Sequence, residues 1–267
     1  MYIDDDIKAV IDSSCGDENL GYLFEHPPEV ILNSHFHEDH ILNNHLFPRA
    51  QVWLHAQDAP AARSLEVFQE FYGFQQFDGR QLGRKFIKSV DLQASPVHRE
   101  ITDGEILDFG SVHLQVVHLP GHTPGHCGFY EEKSGLLFSG DIDLSGFGPW
   151  YAHLCSDLDY FMKSIQKCIE INPRLIVSSH KGIIREDIVT RLKKYHEIIF
   201  TKEQQVLNAL QQPANIEQLA SRQIFYGPHV KLGPFMFWME KMAVYKHLER
   251  LIKLNQIEQS GETYYLK

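Results

Sequence analysis

Histidine and carboxylate side chains crowd into one short stretch of the chain, VILNSHFHEDHI, at residues 30–41. In an extended segment alternate side chains face the same way, so His35 and His37 can bind one ion together. A turn into a helix near Asp39 and His40 would direct those two side chains to a neighbouring point. Imidazole and carboxylate ligands suit Zn²⁺ and, less selectively, Fe or Mn. The stretch is therefore a candidate metal site.

Three later segments repeat one pattern, in which a hydrophobic strand leads through small residues to a residue of metal-ligand type. His122 lies in LPGHTPGH, Asp141 in LLFSGDID and His180 in LIVSSHKG. Strand ends are stiff and small neighbours let loops approach, so these side chains can meet in one cleft. A lone buried histidine is usually an ordinary core residue, but three matching contexts argue against an accidental cluster. A pair of divalent ions accounts for both the histidines and the carboxylates.

Length and composition fit a globular protein with a large core. The chain has 267 residues, 43% of them hydrophobic, with a mean hydropathy of -0.28, which allows one large domain or one large and one small. We find no run of about 18 apolar residues that would predict a membrane span. The acidic start MYIDDDIKAV does not resemble a signal peptide. The four cysteines show no CxxC spacing, so we expect reduced thiols in a cytoplasmic protein.

Acidic charge is concentrated in the first part of the chain. The net charge is -10, yet residues 196–267 hold eight Lys/Arg against seven Glu, about +1. The remainder has 17 basic and 28 acidic residues, about -11. An acidic body repels phosphate backbones at long range, although bound metal ions would invert the local sign. The charge thus disfavours a nucleic-acid partner and favours a small-molecule substrate.

Strand patterns dominate up to residue 195, and helical patterns follow. IKAVIDSS and EVILNS predict buried strands, and SDLDYFMKSIQKCIEIN predicts a helix capped by Ser156. Residues 75–100 are polar and weakly periodic, which predicts an exposed insertion. TKEQQVLNALQQP, NIEQLASRQIF and FWMEKMAVYKHLERLIKLNQ predict helices, and IEQSGETYYLK predicts a hairpin. This order is typical of a winged helix, so we expect one domain at 1–195 and a small winged-helix-like domain at 196–267.

The ligand-type residues resemble the signature of the metallo-β-lactamase-fold hydrolases. That signature is H-x-H-x-D-H, a Gly-His-Thr turn, a Ser-Gly-Asp and a strand-end His, all present in order over residues 35–180. The resemblance implies an α/β (α+β) fold, an αββα sandwich with a two-metal site along one edge of its β-layers. By position, His35, His37 and His122 resemble the ligands of the first metal, Asp39, His40 and His180 those of the second, and Asp141 the carboxylate that bridges the two.

The resemblance also implies a mechanism, in which a hydroxide shared by two divalent metal ions attacks the substrate. Asp39 and Asp141 would be the catalytic carboxylates that orient it. Zinc is the favoured metal, with iron and manganese as alternatives. The tail resembles, in its order of elements, the lactamase-beta-like protein 2 group, whose members are linked to RNA cleavage. We find no basic C-terminal signature for glutathione, which weakens a glutathione thioester as the substrate.

The loop LSGFGPWYAH, which follows Asp141, supplies candidates for a substrate pocket. Aromatic residues in a Gly-rich loop after a ligand more often shape a cleft than a core, and His153 is also a candidate catalytic acid. His126, in the same turn as His122, either supports another imidazole or is an ordinary structural residue. The predicted pocket residues are Phe147, Trp150, Tyr151 and His153.

Four functions compete on these patterns. We favour hydrolysis of an ester-like bond in a small molecule, a thioester or a lactone, because the body is acidic and the loop is aromatic. A phosphodiesterase or single-strand-specific ribonuclease would need a basic track leading to the metals. An iron-dependent oxidoreductase with one metal would not need Asp39, His40 and His180. A non-catalytic regulator would bind DNA through the tail, but the tail is equally suited to homodimerisation or to covering the active site.

Overall fold

Two β-sheets face each other and position the ligand-type residues. The computed structural model describes residues 1–267 apart from the side chains of residues 17 and 18. The first sheet, parallel except for its first strand, contains in order β1 (Tyr2–Ile3), β2 (Ala9–Ile11), β3 (Val30–Leu32), β4 (Gln51–His55) and β5 (Arg99–Ile101). The second contains in order β6 (Ile106–Asp108), β7 (His113–His118), β8 (Cys127–Glu131), β9 (Leu136–Phe138), β10 (Leu175–Ser178) and β11 (Gly182–Ile184).

Helices cover the outer faces of the sheets and form most of the C-terminal part. They are α1 (Asp17–Glu25), α2 (Glu38–Ile41), α3 (Ala59–Arg63), α4 (Leu65–Tyr72), α5 (Arg80–Ser89), α6 (Leu158–Ile171), α7 (Ile188–Ala209), α8 (Ile216–Ala220) and α9 (Pro234–Lys253), with a 3₁₀ turn at Asn44–Leu46. Within the described residues, no helix combines the length and the apolar character needed to cross a membrane.

The alternation of side chains along the strands builds the layers. Ile11 and Leu32 point between the sheets, where they join Phe129 of β8 in one buried cluster. Ile31, the neighbour of Leu32, points the other way and packs in a cluster with Leu23 of α1. The outer face of the second sheet packs against α6 and α7 in the largest cluster of the protein. Since β2 and β3 bury both faces, their sequences are apolar throughout, and the layers are α, β, β, α.

Strand direction brings the predicted ligands to one edge. β2, β3 and β4 run parallel, and so do β9 and β10. β7 runs in the same direction as β9, because each is antiparallel to β8. The carboxyl ends of β3, β7, β9 and β10 precede the segments that hold the ligand-type residues. The topology therefore gathers these segments, as their strand-end positions predict.

The C-terminal part begins on a continuous helix. α7 runs through residue 195, so the helix predicted from TKEQQVLNALQQP is the second half of a longer one. β12 (Ala214–Asn215) joins the predicted hairpin of β13 (Ile257–Ser260) and β14 (Thr263–Leu266) in a sheet of order β12-β14-β13. α8 and α9 pack beside this sheet. The order of helices and hairpin is the predicted one, and the division at residue 195 stays a prediction.

One local prediction was wrong and a second was incomplete. The first is the cap of α6: its N-cap is Asp157, whose Oδ1 accepts a hydrogen bond from the Tyr160 N–H at 2.9 Å. Ser156 instead donates from its hydroxyl to the carbonyl of His122 at 2.8 Å. Both residues are good caps, so the local pattern does not choose between them.

The second is the segment 75–100, which is more than an exposed insertion. It contains α5, and Phe86 of that helix stacks on Phe235 of α9 with ring centroids 4.9 Å apart. Leu92 and Val97 are buried. The few apolar residues of this polar segment find partners that lie far away in the chain, which local periodicity does not reveal.

Candidate metal centre

Four buried side chains form the first group of the cluster. Nε2 of His35 lies 3.0 Å from Nδ1 of His37 and 3.1 Å from Nε2 of His122. Oδ2 of Asp141 lies 3.2 Å from the same His122 nitrogen. All four side chains are buried. Three imidazoles from two distant loops thus converge on one carboxylate.

The second group is more open and shares that carboxylate. Oδ1 and Oδ2 of Asp39 each lie 3.6 Å from an imidazole nitrogen, Nε2 of His40 and Nε2 of His180 respectively. Oδ1 of Asp141 lies 3.2 Å from the His40 nitrogen, and its Oδ2 lies 3.3 Å from the His180 nitrogen. The side chains of Asp39 and His180 are 50% and 43% exposed. The structure therefore brings together all seven residues predicted as ligands, with Asp141 between the groups.

Hydrogen bonds outside the cluster orient the imidazoles. Nδ1 of His122 donates to the carbonyl of Trp150 at 2.7 Å, and Nδ1 of His40 donates to Asp12 at 2.9 Å. Because each of these rings uses its Nδ1–H in this way, its Nε2 can direct a lone pair into the cluster. α2 begins directly after His37, so the predicted turn into a helix places Asp39 and His40.

Asp12 is a functional residue that the sequence analysis missed. One of its oxygens accepts from His40 and from the Ser34 hydroxyl, and the other accepts from the Ser34 N–H, the last two at 2.8 Å. Its φ is +57°, a region that Asp and Asn tolerate better than other side chains. Asp12 directly follows β2, so the strand-end pattern that identified the other residues was present here as well.

We expect Asp12→Asn to weaken metal binding by about 10- to 100-fold, the usual effect of losing a carboxylate behind a histidine ligand. Asparagine keeps the volume and tolerates the backbone conformation, but its amide cannot accept on both sides. Competition with a chromophoric chelator measures the affinity, and Asp4→Asn, an exposed position in the same part of the chain, is the matched control. Equal affinity in Asp12→Asn and wild type would contradict this role.

Asp58 was also missed, and it joins two of the loops. Its buried carboxylate accepts from the Phe36 N–H at 3.2 Å, from the Thr123 hydroxyl at 2.6 Å and from the Gly125 N–H at 2.6 Å. Burial raises the pKa of Asp58 to about 6 against these three hydrogen bonds. The carboxylate ties the segment of His35 and His37 to the turn of His122. Asp58 lies three residues after the end of β4, so the strand-end pattern was present here too, although its partners lie in other loops.

His126 supports the cluster, although through a backbone group rather than another imidazole. Its Nε2 accepts from the Asp141 N–H and its Nδ1 donates to the Leu119 carbonyl, both at 3.0 Å. Burial lowers the pKa of His126 to about 3, so the ring is neutral and can accept. It fixes the backbone that presents the shared carboxylate.

The donor set fits divalent metal ions. Tetrahedral zinc with bonds of about 2.0–2.1 Å holds its ligand atoms about 3.3 Å apart, close to the separations in the first group. Among the described residues, the buried Nε2 of His40 and Oδ1 of Asp141 have no hydrogen-bond partner although they face each other. Buried polar atoms normally have partners, and a cation would supply one to both.

The charges of the cluster reinforce one another. Burial acts to raise the pKa of Asp141, but the surrounding histidines, His40 first, hold it well below its usual range. Burial acts to lower the pKa of His40, but the carboxylates of Asp141, Asp12 and Asp39 hold it well above. Burial lowers the pKa of His35 well below its ordinary value. The metal-free cluster therefore holds His35 as a neutral imidazole and Asp141 as an ionised carboxylate, the two forms that bind metal, whereas His40 holds a proton that a bound cation would displace.

A cleft of about 440 Å³ opens on the cluster. Three of the predicted pocket residues, Phe147, Trp150 and His153, line it. His153 is buried, and neither of its ring nitrogens has a hydrogen-bond partner in the described part of the chain. Tyr72 lines the cleft too and donates from its hydroxyl to Glu38. Burial, followed by the charge of the neighbouring Asp39, raises the pKa of Glu38 to about 7.

The fourth predicted pocket residue, Tyr151, lies elsewhere. Its side chain is buried, and its hydroxyl bonds to Nε2 of His247 on α9 at 2.8 Å. Nδ1 of His247 lies 3.6 Å from Glu203 of α7, which Arg250 binds with two bonds of 2.5 Å. The prediction failed because alternate residues of a loop can face opposite ways. Tyr151 instead connects the loop LSGFGPWYAH, which holds the predicted pocket residues, to the C-terminal helices.

We expect the burial of His247 between Tyr151 and Glu203 to make the stability of the protein depend on pH. Burial lowers the pKa of His247 below the ordinary 6.5, against the pull of Glu203 and with small repulsion from Arg250 and Lys202. The unfolded chain therefore takes up the proton first, so the stability that His247 contributes is present above about pH 6.5 and is lost as the pH falls. In metal-free protein, the melting temperature should fall more between about pH 7.5 and 5.5 for wild type than for His247→Gln. Equal losses would contradict the assignment.

Two facing sheets flanked by helices, with a histidine and carboxylate cluster at their common edge, define a metal-binding αββα sandwich. The chain belongs to the metallo-beta-lactamase superfamily, whose family model matches residues 2–180.

Curated relatives resemble parts of the chain. A hydroxyacylglutathione hydrolase of Haemophilus influenzae is 33% identical over 81 residues, 30% of this chain and 38% of the relative. A beta-lactamase-like protein 2 homolog of Drosophila melanogaster is 31% identical over 159 residues, 57% and 51% of the two chains. An atrochrysone carboxyl ACP thioesterase of a Cryptosporiopsis species is 29% identical over 124 residues, 46% and 37%. The matches span only 37% to 51% of the length of these curated relatives.

Solved structures share the fold over the whole chain. A metallo-beta-lactamase family protein from Thermus thermophilus superposes with a TM-score of 0.82 at 22% identity, and the match covers 100% of this chain and 92% of that one. A beta-lactamase domain protein from Burkholderia ambifaria gives 0.72 at 17% identity, with coverage of 100% and 86%. The similarity of fold thus includes the helices and hairpin of the C-terminal part.

Proposed function

We propose that the protein is a metal-dependent hydrolase that cleaves an ester-like bond of a small molecule, with a thioester or a lactone favoured. The observation that carries the proposal is the position of Asp141. Its carboxylate touches both groups of the cluster at the floor of an open cleft. Such a site suits two divalent ions, of which zinc is favoured by the imidazole and carboxylate donors, with iron or manganese as alternatives.

The residues of the chain divide the work. His35, His37 and His122 would hold one ion, Asp39, His40 and His180 the other, and Asp141 both. The bound ions would supply Lewis acidity and a water of lowered pKa. Asp39 and Asp141, as the catalytic carboxylates, would orient that water. His153 lines the cleft with free ring nitrogens, so we assign it the donation of an N–H to the substrate oxygen.

The cleft supports an ester-like substrate over a nucleic acid. Carboxylates outnumber cations in its lining, where Lys181 is the one Lys or Arg among the described residues. A phosphodiester strand needs a basic track, and this lining offers a single cation. Two of the relatives carry the names of a hydroxyacylglutathione hydrolase and a carboxyl ACP thioesterase, which supports a thioester as the bond. The exposed set of Asp39 and His180 supports two metals rather than the single iron of an oxidoreductase.

The setting of the protein is part of the proposal. The four cysteines are free thiols in the structure, in keeping with a cytoplasmic location. We assign α8, α9 and the three-stranded sheet to a winged-helix-like domain after residue 195. We also propose that this domain forms a homodimer contact. Light scattering of the protein as it elutes from a size-exclusion column tests this, and a monomeric mass would contradict it.

A substrate panel tests the proposal. The purified protein, loaded with zinc, manganese or iron(II), is given acyl thioesters, lactones, a p-nitrophenyl phosphodiester and single-stranded RNA. We expect turnover of a thioester or a lactone that His37→Ala abolishes, while His45→Ala, an exposed histidine of the same segment, leaves it unchanged. Turnover of RNA alone, lost in His37→Ala, would overturn the substrate class. Oxygen consumption with one equivalent of bound iron would contradict hydrolysis and indicate an oxidoreductase.

A further inference from the structure

The cleft over the cluster is walled by apolar side chains from three distant segments. Phe86 comes from α5, and Phe147 and Trp150 come from the loop after Asp141. The C-terminal part contributes the rest of this wall. Its four residues are Tyr226, which precedes α9, and Phe235, Met236 and Met239 on the first turns of α9.

The C-terminal residues pack on both sides of the cleft. The ring of Tyr226 lies 5.9 Å from that of Phe147 and 6.1 Å from that of Trp150. Phe235 stacks on Phe86 with an interplanar angle of 19°. Tyr226 and Phe235 are only half-buried, so they leave apolar surface facing the cleft. Tyr226 and the start of α9 thus connect the loop after Asp141 with α5.

Besides one glutamate and three aspartates, the lining contains aromatic and methionine side chains. Aromatic walls with few polar groups bind apolar parts of ligands, and methionine adapts to their shape. We propose that the C-terminal wall of Tyr226, Phe235, Met236 and Met239 is the acyl-recognition surface of the enzyme. It selects substrates with an aromatic or medium-length alkyl acyl group, of about six carbons or more, over acetyl esters. This inference rests on the proposed hydrolase function and specifies its substrate class.

A series of N-acetylcysteamine thioesters that differ only in the acyl group tests this surface. Each buried methylene is worth about fourfold in kcat/KM, so wild type should prefer hexanoyl and phenylacetyl over acetyl by at least about tenfold. Phe235→Ala should lower the hexanoyl-to-acetyl ratio of kcat/KM at least about fivefold. Met236→Trp, which fills the cleft, should lower the same ratio without removing a packed side chain. Phe237→Ala, on the same turn but outside the cleft lining, should keep it.

The outcomes separate the two proposals. If wild type hydrolyses acetyl and hexanoyl thioesters equally, and Phe235→Ala and Met236→Trp leave the ratio unchanged, the acyl surface is wrong while the hydrolase function stands. If no thioester or lactone is turned over by protein that binds metal, the proposed function itself fails. A hexanoyl preference that Phe237→Ala removes as strongly as Phe235→Ala would also overturn the assignment, because it would indicate a general disturbance of α9.

Discussion

Asp141→Asn should lower kcat/KM on the best substrate of the panel by about 10³-fold or more. The substitution keeps the size of the side chain and removes its charge. Both oxygens of this buried carboxylate face imidazole nitrogens, Oδ1 that of His40 and Oδ2 those of His122 and His180, at 3.2–3.3 Å. An amide places a neutral oxygen and an N–H there, so one of the two groups faces a donor in place of an acceptor. The metal content, measured by elemental analysis, should fall below that of wild type.

Asp108→Asn is the matched control, because it makes the same change at an exposed residue at the end of β6. It should retain activity and metal. Retention of full metal content by Asp141→Asn would show that the carboxylate does not join the two groups. Thermal melting of the three proteins in chelator distinguishes loss of metal from loss of fold.

Gly121→Ala should damage both the fold and the cluster. Gly121 has φ +127°, and an added Cβ would lie 2.2 Å from the backbone nitrogen of Phe161 on α6. The backbone of α6 cannot move aside as a flexible side chain does. We therefore expect the free energy of unfolding to fall by roughly 3 kcal/mol or more, and the melting temperature to fall by about 5–10 °C. The next residue is His122, whose carbonyl accepts from Ser156. Displacement of the turn should therefore also lower the metal content.

Gly104→Ala separates the clash from the backbone strain. Gly104 also has a positive φ, +80°, but no atom lies within 4 Å of the position of its Cβ. The free energy of unfolding of Gly104→Ala should fall by about 1 kcal/mol because of the backbone conformation alone, and the variant should keep its metal. A melting temperature of Gly121→Ala equal to that of Gly104→Ala would contradict the tight seating of the His122 turn on α6.

The cluster was predictable because its signal is local and repeated. Each ligand-type residue follows a hydrophobic strand, and parallel strand direction then does the gathering. Asp12 follows the same rule at the end of β2. The C-terminal order of helices and hairpin was likewise readable, since the hairpin is marked by Ser-Gly-Glu between two strand-like arms.

Other features depend on contacts between distant parts of the chain. Tyr151 faces away from the cleft because His247, 96 residues later, accepts or donates at its hydroxyl. Phe86 lines the cleft beside Phe235 of α9, on which its ring stacks. α7 continues through residue 195 with buried residues on both sides of that point. The orientation of these side chains and the length of α7 depend on packing between distant segments, so composition and periodicity over a short window do not determine them.

The most direct test of a shared two-metal site is the metal stoichiometry of the purified protein, measured by elemental analysis alongside protein concentration. We predict two divalent ions per chain, and fewer than two in both His37→Ala and His180→Ala, which alter different groups. One ion per chain that persists in His180→Ala, or no ion retained by folded protein after exposure to zinc, manganese and iron(II), would contradict it.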